Sequence, residues 1–120
     1  MSGKIEITRV ETSQRLSRAV KYGDFVFLSG ITAAEGGSDI AGQTRKILEK
    51  MDALLAKCGT DKTRLLSVQI WLRDAQRDVA GMNEVWNAWT PKDGAPTRAC
   101  GESRLADPAV LVEIIATAAA

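Results

Sequence analysis

Residues 39–58 hold the pattern that most restricts the fold. Ile40, Thr44, Ile47, Met51, Leu54, Leu55 and Cys58 recur at helical spacing, while Arg45, Lys46, Glu49, Lys50 and Asp52 fall mostly on the opposite side. A helix with one apolar stripe is stable only when that stripe lies on another layer. Ser38 or Asp39 is placed to cap its first turn, and Lys57 complements the dipole at its end. Gly59 suits the left-handed position just past the last turn. Cys58 belongs to the stripe, which makes it core filler.

The rest of the chain supplies the other layer. Residues 4–10, KIEITRV, set Ile5 and Ile7 on one face of an edge strand, and residues 16–20 form a second short extended piece. Phe25–Leu28, FVFL, is apolar on both faces. Residues 64–72 alternate, with Leu66, Val68, Ile70 and Leu72 on one face and Leu65, Ser67, Gln69 and Trp71 on the other. A second helix follows, capped by Asp78, with Val79, Met82, Trp86 and Trp89 as its stripe and Pro91 as its stop. Residues 97–105 and 110–117 read as a closing hairpin turned at Ala106-Asp107-Pro108. The expected architecture is α+β, one domain over residues 1–120, in the order β-β-β-α-β-α-β-β. A mixed sheet of about six strands carries two helices on one face. The other face still bears apolar residues in Phe25–Leu28 and 110–116, and a partner subunit is the simplest cover.

Composition removes several functions. Lys and Arg number 16 against 15 for Asp and Glu, so the +1 balance offers no basic footprint for nucleic acid or an anionic membrane. The chain has no histidine, which excludes Ser-His-Asp and Cys-His centres and any histidine-ligated metal. Neither a GxGxxG nor a Walker-type loop is present. Cys58 and Cys100 form no CxxC pair, the start MSGKIEIT has no apolar leader segment, and no apolar run is long enough to span a bilayer. A cytoplasmic protein with reduced thiols is expected. Chemistry is left to Arg, Glu, Asp, Cys, backbone groups and water.

Within the last two strands, Arg98, Cys100, Glu102 and Arg104 share one face, and Leu111, Glu113, Ile115 and Thr117 share another. A carboxylate between Leu111 and Ile115 is costly unless it is paired, hydrated or used. An arginine on one strand and an isolated glutamate on its expected neighbour would suit a small anionic substrate. A structural use is also open: Arg98 paired with a carboxylate across the sheet, and Glu113 on an exposed rim. Trp86 and Trp89 read as core or interface residues, though Trp89 ends near the loop 92–95, where it would wall a pocket. No base accompanies Cys100, so its role is positional rather than nucleophilic.

Three stretches carry a family likeness: residues 22–30, YGDFVFLSG; Gln43-Thr44-Arg45 through Cys58-Gly59; and Pro96-Thr97-Arg98-Ala99-Cys100 followed by Leu111-Val112-Glu113-Ile114. Through them the chain resembles the RidA (YjgF-like) family of reactive enamine and imine deaminases. The resemblance implies a chorismate-mutase-like fold and a homotrimer with sites in the clefts between subunits. It implies hydrolysis of 2-aminoacrylate, or its tautomer 2-iminopropionate, to pyruvate and ammonia, a metabolite-damage-control reaction that uses no cofactor and no metal. On this likeness Arg98 would hold the substrate carboxylate, backbone groups at Cys100 would contact the substrate, and Glu113 would position the attacking water. Leu16, Ser29, Gly30, Ile31 and Trp89 would complete the pocket. Leu16 stands where the family has tyrosine, Arg18 and Ile31 where it has glutamine, and Lys50 where asparagine is common. The alternative is a non-catalytic module that binds a carboxylate metabolite in the same cleft.

Overall fold

A computed structural model describes residues 3–120. The chain runs β1 (Ile7–Thr12), β2 (Ser17–Tyr22), β3 (Phe25–Leu28), α1 (Ile40–Lys57), β4 (Leu65–Leu72), α2 (Ala75–Trp89), β5 (Thr97–Glu102) and β6 (Val112–Ala119). One sheet holds all six strands in the order β1-β2-β3-β6-β4-β5. Every neighbouring pair is antiparallel except β4 and β5, which run parallel. The element order is the one the sequence implies, and both helices pack on one face.

Asp39, rather than Ser38, caps α1: its Oδ1 accepts from the Gly42 N–H at 2.8 Å. Gly59 takes the left-handed conformation, φ 81°, just beyond the helix. Ile47, Leu48, Met51, Leu54, Leu55 and Cys58 are buried against Val68, Ile70 and Leu72 of β4 and Val112, Ile114 and Ala116 of β6. No helix among the described residues is long and apolar enough to cross a membrane.

Four sequence expectations are corrected. First, α2 begins earlier than a cap at Asp78 allows, because Asp74 is the cap and accepts from the Arg77 N–H at 3.1 Å. Asp78 lies in the first turn, buried, and Arg77 grips its two oxygens at 3.0 and 2.8 Å. Second, the last two strands form no hairpin, because β4 lies between them. A helix-length connection from β4 through α2 lays β5 parallel beside β4, as a crossover does. The polar β5 then occupies the sheet edge, and the apolar β6 takes the centre. Third, a bulge between Leu65 and Ser67 reassigns the faces of β4. Leu65 joins the core with Val68, Ile70 and Leu72, while Leu66 is left exposed. Fourth, strand limits shift: β1 starts at Ile7 rather than residue 4, and β5 stops at Glu102 before the left-handed Leu105, φ 61°.

The face away from the helices is bare. Ile7, Tyr22, Phe25, Phe27, Leu66 and Trp71 are exposed, Phe25 and Phe27 at 47% and 45%. The long connection 103–111 is tied down from below. Gln43, buried in α1, donates to the Gly37 and Ala109 carbonyls at 2.9 Å each and accepts from the Leu111 N–H at 2.8 Å. Arg73 adds bonds to the Val110 and Asp107 carbonyls at 2.8 and 2.6 Å.

Candidate functional site

Alternation along β6 sends Val112, Ile114 and Ala116 into the core and Glu113 to the bare face. The local frame around Glu113 comes from a bulge. Between the Phe27–Thr117 and Ile31–Ile114 pairs, four steps along one strand face three along the other. The inserted residue carries Ser29-Gly30 over β6. A Cβ at Gly30 would run into the Glu113 carboxylate, so only glycine leaves the space that this side chain fills. Trp71 is the β4 partner of both Glu113 and Gly101. Its ring lies close over Gly101, where a Cβ would stand 2.9 Å from Cζ3. Glu113 therefore lies against Gly30, half-buried and in register with Trp71, and makes no hydrogen bond or ion pair with any described residue.

Arg98 lies on the other face. Its register partner on β4 is the core residue Val68, so Arg98, Cys100 and Glu102 point to the helix side of the sheet edge. Glu102 confirms the direction by accepting from the Ala75 N–H at the start of α2, 2.9 Å away. The Arg98 guanidinium carbon is 5.7 Å from the centre of the Trp86 ring. Its N–H groups make no hydrogen bond or ion pair with described residues, so it pairs with no carboxylate across the sheet. Cys100 is exposed two residues further along.

One chain does not bring these groups together. Arg98 is level with Val68 and Glu113 with Trp71, three residues away along β4, and they sit on strands either side of it. Strand rise and spacing put their Cα atoms roughly 14 Å apart. Their side chains also leave opposite faces. Gly30 abuts Glu113 and Ser29 precedes it in the chain. Ile31 instead pairs with Ile114, its N–H donating to the Ile114 carbonyl at 2.9 Å, and its side chain is buried in the core on the face opposite Glu113. Leu16 is exposed at the β1–β2 turn, and β3 separates its strand from β6. Lys50 braces the segment after Ile31: it donates to the Thr32 carbonyl at 2.9 Å and pairs with Glu35. That bond from Lys50 holds the Glu35 carboxyl below its ordinary range.

Trp89 lies apart from Glu113, beside Trp86 and away from the bare face. It walls a groove of ≈ 580 Å³ between α1 and α2 with Arg45, Asp52, Lys62 and Glu84. A second concavity, ≈ 340 Å³, is lined by Ile31, Arg18, Lys50 and Leu54. Neither is lined by Arg98 or Glu113. Sequence reasoning did not associate Trp71 with Glu113 or Trp86 with Arg98. Both pairings depend on cross-strand and helix-on-sheet register, and no local spacing reports that.

The sequence profile of the family described as Endoribonuclease L-PSP matches residues 6–120. A RutC family protein of Haemophilus ducreyi is 36% identical over 113 residues, covering 94% of this chain and 96% of its own. The RutC family protein YoaB of Escherichia coli is 33% identical, with 94% and 97% covered. A crystal structure from Neisseria meningitidis, described as a member of the YjgF protein family, matches with a TM-score of 0.92 at 44% identity. That match covers 95% of this chain and 94% of the other.

Proposed function

The chain belongs to the Endoribonuclease L-PSP family, which includes the YjgF and RutC proteins, and from that premise we propose that it is a cofactor-free deaminase of 2-imino acids. It takes 2-iminopropionate, or its tautomer 2-aminoacrylate, to pyruvate and ammonia. The site lies between two subunits of a homotrimer, with Arg98 from one and Glu113 from the next. The observation that carries this reading is the pair of unused groups. Among the described residues, an arginine with free donors and a carboxylate with no partner stand on opposite faces of one chain, each where a second subunit would complete it. The exposed Phe25, Phe27 and Trp71 supply a surface for that subunit.

The chemistry asks little of the protein. An iminium carbon beside a carboxylate is already electrophilic, so the site need only fix the substrate and direct one water. Arg98 takes the carboxylate in a charge-assisted, bidentate clamp, which a lysine reproduces poorly. Water adds its oxygen to the iminium carbon while Glu113 accepts a proton from it, giving a neutral carbinolamine. Glu113 then returns the proton to the amine nitrogen. The C–N bond breaks as Glu113 takes the hydroxyl proton, releasing the 2-oxo acid and ammonia, and that proton then passes to the ammonia, which leaves as ammonium. General acid–base help of this kind is worth ~10²–10⁴-fold. Cys100 contributes small volume and backbone groups near the carboxylate.

The test is to generate 2-iminopropionate with a separate enzyme, trap it as a semicarbazone, and follow loss of the trapped product as this protein is added. Acceleration that disappears in Arg98→Lys, with the variant still folded, supports the reading. No acceleration contradicts it. Binding of a 2-oxo acid without acceleration points instead to a carboxylate sensor, a use that Leu16 and the buried Ile31 favour, since both replace polar family residues. The family's name describes RNA cleavage. The apolar open face and the +1 charge suit a polyanion poorly.

A further inference from the structure

Arg98 is the outer end of a column of contacts that crosses the helix layer. Its guanidinium carbon lies 5.7 Å from the Trp86 ring centre. Trp86 is buried and stacks on Trp89, with ring centres 5.4 Å apart and planes tilted by 45°. Trp89 is fixed at its far side: the indole N–H donates to Asp52 Oδ2 of α1 at 3.0 Å. The Lys62 ammonium stands 4.9 Å from the Trp89 ring centre and donates to the Trp89 carbonyl at 2.6 Å. Each ring is thus held on one side and presents a face on the other.

We propose that the Trp86–Trp89 pair, pinned by Asp52 and Lys62, is a positioning element that fixes the Arg98 guanidinium for carboxylate capture. The inference rests on the carboxylate-binding role given to Arg98 above. An arginine on an exposed edge strand otherwise samples many rotamers, and binding must then pay for their loss. A ring beneath the guanidinium restricts it without using its N–H groups, because the attraction is to the π face. The donors around the guanidinium stay free for a bidentate carboxylate. No described residue competes for them. Trp86 acts through Arg98 and does not itself touch substrate.

The decisive readout varies the ring's electrostatics and leaves its packing alone. Trp86 is replaced site-specifically by mono-, di- and trifluorinated tryptophan, and pyruvate binding is titrated by calorimetry on the assembled protein, beside Arg98→Ala. The expected result is a dissociation constant that rises stepwise with fluorination, about two- to fivefold across the series. Melting temperature and solution mass stay at wild-type values. Trp86→Phe, which keeps a smaller face, falls inside that range. Pyruvate binding that is lost in Arg98→Ala but flat across the fluorinated series overturns the positioning role alone. Wild-type protein that binds no pyruvate, or Arg98→Ala that binds it normally, overturns the carboxylate role of Arg98 and the inference with it.

Discussion

Gly30 is the residue whose side chain must be absent for Glu113 to lie where it does. A methyl there meets only the far end of a flexible carboxylate side chain, so Gly30→Ala is expected to fold normally while moving that carboxylate. Turnover of 2-iminopropionate should fall with melting temperature nearly unchanged. Equal loss of both would make Gly30 a packing residue. Glu113→Gln keeps the shape and removes the base, so kcat should drop ~10²–10⁴-fold. Pyruvate binding should hold, and single-turnover rates beside a melting curve separate this from a structural role. Cys100→Ala should keep substantial activity, measured in the same assay, because no base is set to ionise the thiol. Alternation in the sequence shows which residues share a face with Arg98 and with Glu113. It does not show that the two faces are opposite ones. That depends on the strand lying between them, and β4 is a long way off in the chain.

At the scale of elements, the helices were legible and the sheet order was not. The stripe of α1 and the glycine beyond it fix that helix locally, whereas the hairpin expected of the last two strands follows from sequence proximity alone. The length and tether of the 103–111 connection decide against it. Gln43 is the main tether, and a glutamine one position from an apolar stripe gives no signal of its task. Gln43→Leu removes three hydrogen bonds and is expected to destabilise the fold by about 1–3 kcal/mol, read by urea unfolding. A change within a few tenths would show that the loop holds itself. Cys58 adds a pH term at the end of α1. Burial pushes its thiol above the ordinary 9.0. The unfolded chain releases that proton near 9.0 while the folded chain keeps it, so stability is full below that pH and falls as pH rises through the folded value. Cys58→Ala should flatten this alkaline slope in a melting series.

The whole molecule is a slab with one finished side. Its extents are 55 × 37 × 21 Å and its radius of gyration is 14.8 Å. A compact chain of this length would have a radius of roughly 13.6 Å. The unfinished side carries Phe25 and Phe27, and Phe27→Glu should break the proposed trimer into single chains of 12.9 kDa and abolish turnover, although Arg98 and Glu113 are untouched. Light scattering and the deaminase assay on one sample read both. Whether Arg98 and Glu113 serve one site from two subunits can be read by mixing inactive variants. Arg98→Ala and Glu113→Gln are each assembled alone, then dissociated, combined in equal amounts and reassembled. In a closed ring of shared sites, random mixing leaves about one site in four with both groups intact. Two preparations that are separately inactive should then recover about a quarter of wild-type turnover. A reassembled mixture as inactive as its parents would show that Arg98 and Glu113 do not meet in a site shared between subunits.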